Sequence, residues 1–201
     1  MRIFELFLVG GFMMWPLLLC SLAVVAIAVE RSKFLKQSKT DMQFLQTRLL
    51  PAVSAEQWDK ASEICSKSGG IVGTLLNDAI LQRSHVKDMA EYLSGTSAQA
   101  AELLRAQLNY LSAIVTLAPL MGLLGTVIGM IRSFDVLAVS EGQPFAITGG
   151  VAEALVATGF GLFVAIIAMF AHVWLSQWAN RRISDIEVST SLFMTAYPNG
   201  K

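Results

Sequence analysis

Three long apolar runs divide an otherwise mixed chain, at residues 6–29, 111–131 and about 147–174. The first carries no charge between Glu5 and Glu30, the second none before Arg132, and the third is broken only by Glu153 and His172. A bilayer crossing needs about 20 apolar residues, so each run predicts a membrane-spanning helix. The first is far longer than the ~7–15 residue core of a cleaved signal and lacks a convincing small-residue cleavage site, so it predicts a retained anchor. Between the first two runs the period changes to that of amphipathic helices. Ser54 and Gln57 form a capping-box pattern ahead of WDKASEICSKS, and Gly69-Gly70 supplies a stop. The run IVGTLLNDAILQR puts Ile71, Leu75, Leu76, Ala79 and Ile80 on one face. From Ala90 to Tyr110 a further helical run leads into the second span. The predicted fold is all-α: an integral membrane protein with three transmembrane helices, the second and third extending into the cytoplasm, and a cytoplasmic helical segment between the first and second.

Charge orients this arrangement. Arg31, Lys33, Lys36 and Lys39 follow the first span and Arg181 and Arg182 the third, whereas residues 136–146 contain no Lys or Arg. By the positive-inside rule the N-terminus lies outside and the C-terminus inside. The implied divisions are an anchor (1–30), a cytoplasmic helical domain (31–107), a paired-span domain (108–178) with a short outer loop at 136–146, and a cytoplasmic tail (179–201). Composition agrees with a membrane protein: of 201 residues, 54% are hydrophobic and only 15% charged, against about 25% charged in soluble domains. A formal net charge of zero gives no electrostatic footprint for nucleic acid, and the ten basic and nine acidic residues of 30–110 read as a solvated helical surface. Cys20 and Cys65 read as ordinary thiols. No Walker loop, dinucleotide fingerprint, HExxH, CxxC or nucleophile elbow occurs, so neither an enzymatic site nor a cofactor or metal is expected.

Within the second span Gly122, Thr126, Gly129 and Ser133 fall on one narrow helical face, with Gly125 close by. In the third, Gly150, Ala154, Ala157, Gly161, Ala165 and Ala168 do the same. Small stripes allow close helix packing in lipid, and this accounts for most of these residues. It accounts less well for Thr126, Thr158 and Glu153. A threonine in a span can bond back to its own helix, but the two threonines are expected at matching depths, some 12–15 Å below the outer surface. Glu153 and Thr158 flank the small stripe on opposite sides. A carboxylate within a span costs at least a few kcal/mol and usually faces a bundle interior or an aqueous path. The alternative, that Glu153 reaches the nearby outer interface, explains its charge but not the threonines. The three residues together predict a polar patch passed by something wet or titratable.

The stretches LAPLMGLLGTVIGMIRSF (117–134) and GGVAEALVATGFGLFVAI (149–166) resemble the two signature spans of the MotA/TolQ/ExbB proton-channel superfamily, joined by a short outer loop. The opening MMWPLLLCSLAVVAIAVERSKFL is similar to that family's anchor, and three spans fit its ExbB/TolQ branch better than the four-span MotA branch. Two departures stand out: Val151 where isoleucine is frequent, and Ile166-Ile167 with no proline following, which predicts a straighter inner end for the third helix.

The resemblance implies that Thr126, Thr158 and Glu153 line a proton path. It also implies a homopentamer in the bacterial inner membrane around two copies of an ExbD/TolR-like single-span partner, whose aspartate, absent from this chain, carries protons. The output would pass to a TonB-like transducer or, in a TolQ-like role, to the Tol-Pal envelope system, with phospholipids as the surroundings. Two other classes are carried beside it. A passive oligomeric scaffold would tolerate loss of Glu153; a secondary transporter is disfavoured, because no internal repeat or broken helix pair is evident.

Overall fold

The computed structural model describes residues 7, 9–139 and 145–198. These form α1 (Met14–Gln37), α2 (Met42–Ser54), α3 (Trp58–Ser68), α4 (Gly70–Gln82), α5 (Met89–Arg105), α6 (Leu108–Val139) and α7 (Phe145–Ala196), with no strand among the described residues. Three helical stretches, Met14–Ser54, Met89–Asp135 and Thr148–Ala196, are long and apolar enough to cross a membrane. The chain divides into two compact units, one of residues 1–29 and 107–174, the other of 30–106 and 175–201.

In the first unit the helices are apolar all round, the pattern of a span rather than of a surface helix. Leu17, Val24, Leu111, Ile114, Ala118, Ala154, Ala157, Val164 and Ala168 form its interior. Large apolar side chains point outward on every helix, among them Trp15, Leu22, Leu120, Val127, Leu155, Phe163 and Phe170. In water such a surface would be untenable; in a bilayer it meets lipid or neighbouring helices. α6 carries Pro119 without breaking. Toward one end of the helix pair, the His172 Nδ1–H donates to the Leu108 carbonyl at 3.1 Å.

The second unit is an amphipathic helical cluster. Asp41 caps α2 by accepting the Phe44 N–H, and Asp88 caps α5 by accepting those of Ala90 and Glu91. α3 buries Ala61, Cys65 and Ser68, the i, i+4, i+7 stripe of a helix face. That stripe meets α4 closely: a Cβ on Gly73 would stand 2.5 Å from the Cys65 carbonyl oxygen, so only glycine fits. Burial pushes the Cys65 thiol up to about 12. From α7, Leu175, Ala179, Ile183, Ile186 and Phe193 face inward.

Four details differ from the sequence reading. Ser54 is the last residue of α2 rather than a helix cap; Glu56 takes φ +54° and α3 begins at Trp58, with Gln57 at its N-cap making no side-chain bond. The chain needs the left-handed residue to reverse before restarting, which a helix capped at Ser54 would not allow. On α4, Val72 is buried where Ile71 was expected, and Ile71 is half-buried. The Val72 N–H also donates to Thr40 Oγ1 at 3.2 Å. The run from 90 to 110 is broken at Ala106 (ψ 144°) and Gln107 (φ +65°), a turn that no glycine or proline announces. Finally, α6 extends to Val139 and α7 begins at Phe145, so most of the expected loop is helical and 140–144 lie outside the described residues. The stop at Gly69-Gly70 is present, with φ of +61° and +65°. α7 runs without a break through its 52 residues.

Candidate polar site in the second and third spans

α6 and α7 meet antiparallel along a seam of small residues. A Cβ built on Gly161 would stand 2.6 Å from the Ala118 carbonyl oxygen and 3.1 Å from Gly122 Cα. One on Gly125 would lie 2.6 Å from Ala157 Cβ, and one on Gly129 would lie 2.7 Å from the Gly150 carbonyl oxygen and 3.1 Å from Ala154 Cβ. On Gly122 the same atom would stand 3.1 Å from the Ala157 carbonyl oxygen and from Thr158 Cα. Backbone thus packs on backbone, which is what glycine at these positions permits. Ala165, farther along the same stripe, is buried. Ser133, also buried, donates to the Gly129 carbonyl at 3.0 Å.

Thr126 stands beside this seam rather than in it, half-buried, with Gly125 in the place the helical wheel assigned to it. Its hydroxyl donates to the Leu123 carbonyl of its own helix at 2.6 Å. The Thr158 hydroxyl crosses the seam and donates to the Gly122 carbonyl at 3.0 Å. Since Gly122 faces Thr158, and Thr126 lies four residues further along α6, the two threonines differ in height by about one turn, roughly 6 Å. They are near neighbours in depth, not level.

Glu153 has a partner that the sequence did not reveal. Its Oε1 accepts from Arg132 Nη1 at 2.9 Å; the glutamate side chain is 18% exposed and that of arginine 54%. On the other side the carboxylate packs against Gly11, whose φ of +68° and missing side chain make room for it. The charge of Glu153 thus has a partner within the same chain, and it does not by itself require a passing titratable group. A signal did exist, because folding the two spans into a hairpin brings the end of the second beside the start of the third.

The chemistry follows from the donors. Thr126 and Thr158 have both spent their hydroxyl protons on backbone carbonyls, so each presents oxygen lone pairs to its surroundings. Such a wall accepts a hydrogen bond from a neutral carboxylic acid, whereas a carboxylate gains a donor only when a hydroxyl gives up its carbonyl bond. Among the described residues no group of three or more His, Cys, Asp or Glu could hold a metal ion.

Residues 68–188, which include this seam, match the MotA/TolQ/ExbB proton channel family. The chain belongs to that family. It is 33% identical over 204 residues to the putative biopolymer transport protein ExbB-like 3 of Synechocystis, covering 94% of this chain and 91% of that one. It is 28% identical to the biopolymer transport protein exbB1 of Vibrio cholerae, covering 88% and 80% respectively. A shorter match, 43% over 72 residues, links it to the Tol-Pal system protein TolQ of Pseudomonas aeruginosa, covering 35% of this chain and 31% of that one. Family members are proton channels, and the described polar groups sit in the two helices that the match includes.

Proposed function

We propose that this chain is the channel-forming subunit of an ExbB-type motor, which uses the proton motive force to drive a periplasmic transducer. In this reading it lies in the bacterial cytoplasmic membrane with its N-terminus outside, an orientation supported by the cations Arg31, Lys33, Lys36, Lys39, Arg181 and Arg182 after the apolar runs. Five copies surround two single-span partners of ExbD/TolR type. Each partner brings an aspartate, and a TonB-like transducer takes up the work.

The observation that carries the reading is the orientation of the two threonine hydroxyls. A partner aspartate that has picked up a proton is neutral and can donate to Thr158 or Thr126. Once ionised it finds no free donor on those residues and is left poorly solvated. The wall therefore lets the acid pass in its loaded state and discourages it unloaded. Glu153 and Arg132, close to the start of α7, shape the field through which the proton enters or leaves. Small residues at the seam hold the two helices rigid while this happens.

Thr158→Val tests the assignment. Valine has nearly the same shape and loses only the hydroxyl, whose bond to Gly122 is worth about 1 kcal/mol. The complex is expected to assemble and melt almost as before while uptake driven by the proton motive force is lost. Full uptake with normal assembly would overturn the role of Thr158. The TolQ match supports a second output, the Tol-Pal envelope system; complementation of strains lacking either subunit separates the two.

A further inference from the structure

Lys36, near the end of α1, and Lys39, just beyond it, line one cavity of about 440 Å³ together with Trp178, Arg181 and Arg182 of α7. Its size falls within the ~300–1,000 Å³ typical of ligand sites. Among the described residues no carboxylate stands within ion-pair distance of Lys36, Lys39 or Arg181. Arg182 reaches Asp185 through Nη1 at 3.2 Å, but its Nε is buried and donates to nothing. Four cations with one paired acid leave a strongly positive cavity. Counting basic residues after a span explains orientation; it does not explain why four cations converge on one hollow with a single acid, Asp185, paired to them.

Position along the helices narrows the ligand. Lys36 lies seven residues past Val29, where the first apolar run ends, and α1 is continuous between them. Trp178 and Arg181 lie four and seven residues past Trp174 on unbroken α7. At ~1.5 Å per residue the cavity sits roughly 6–10 Å beyond the apolar spans, the depth of a headgroup layer, where tryptophan is also at home.

We propose that this cavity binds the phosphodiester of an anionic phospholipid headgroup. Lys36, Lys39 and Arg181 would surround the phosphate oxygens, and such an oxygen would supply the acceptor that Arg182 Nε lacks. A zwitterionic headgroup brings an ammonium into the same positive hollow and is disfavoured.

Native mass spectrometry of the detergent-purified chain, titrated with phosphatidylglycerol or phosphatidylcholine, tests this. The unmodified protein is expected to retain phosphatidylglycerol preferentially. Lys39→Gln/Arg181→Gln removes two surface cations and should weaken that retention roughly thirtyfold, while Lys60→Gln leaves it unchanged. Both altered residues are exposed, so the melting curve should not move; Lys36→Gln serves as an independent single change with a smaller loss. Equal retention of the two lipids, or undiminished retention in the variants, overturns the site. Displacement of the lipid by excess inorganic phosphate would identify a free anion as the ligand and overturn the lipid assignment, and resistance to it supports the lipid. None of these outcomes bears on proton conduction.

Discussion

Replacing Gly161 by alanine puts a methyl group 2.6 Å from the Ala118 carbonyl oxygen and 3.1–3.2 Å from the Gly122 backbone. None of these atoms can rotate away, because all belong to the backbone of α6. Reaching ordinary contact at 3.4 Å requires the helices to part locally by about 0.8 Å, which forfeits a quarter to a half of the dispersion attraction across the seam. Overpacking of this kind costs about 1–3 kcal/mol. The Thr158–Gly122 bond, already 3.0 Å, would stretch toward its limit and surrender about 1 kcal/mol more. Gly159 is the built-in control. It is exposed, with nothing within 4 Å of a Cβ, so Gly159→Ala is expected to be neutral or slightly stabilising through helix propensity. Thermal melting in detergent, followed by circular dichroism, should show Gly161→Ala lowered by roughly 4–16 °C and Gly159→Ala unmoved. Equal shifts in the two variants, or a neutral Gly161→Ala, would refute the claim that backbone contact at this seam stabilises the helix pair.

Three other outcomes follow from the ion pair and the buried thiol. Arg132→Gln should destabilise by more than Glu153→Gln, because it strands a mostly buried carboxylate, and the double variant should recover part of the loss; a melting-based double-mutant cycle with additive effects would dismiss the pairing. The raised folded pKa of Cys65 means the folded state holds its proton more tightly than the unfolded chain. Stability from this group is present below pH 9.0 and is lost as pH rises from there toward about 12, so Cys65→Ala should melt with a shallower alkaline decline than the parent. The thiol should also resist a water-soluble alkylating reagent until the chain is unfolded; rapid labelling of the native protein would contradict its burial.

The spans were legible because hydropathy over twenty residues is a large, local signal, and the Gly69-Gly70 stop because glycine tolerates positive φ at little cost. Other features are set by contacts that no local pattern encodes. Glu56 and Gln107 adopt left-handed conformations without being glycine, so the turns they form had no signature. The helical wheel placed Thr126 on the packing face because it lies within a fraction of a turn of Gly122. Which of Gly125 and Thr126 faces α7 depends on how the partner helix is rotated, and that is not written in α6 alone. The salt bridge between Arg132 and Glu153 joins residues 21 apart across a turn whose geometry the residue pattern leaves open. Within its own span Glu153 has no cation in reach, and only the pairing of the two spans supplies one.

If the proposed proton path runs past it, the Arg132–Glu153 pair has a consequence for ion selectivity. A sodium ion shedding its hydration shell needs several negative oxygens to replace it. Here the Glu153 carboxylate is already tied to a guanidinium, so the pair carries no net charge to draw in a metal cation. Two hydroxyl oxygens about a turn apart cannot make up the deficit. A proton travelling on a neutral acid asks for neither charge nor a coordination cage. Discrimination between the two ions would then come from the electrical neutrality of the wall and not from the width of any opening, so sodium in excess should leave the driven process unaffected.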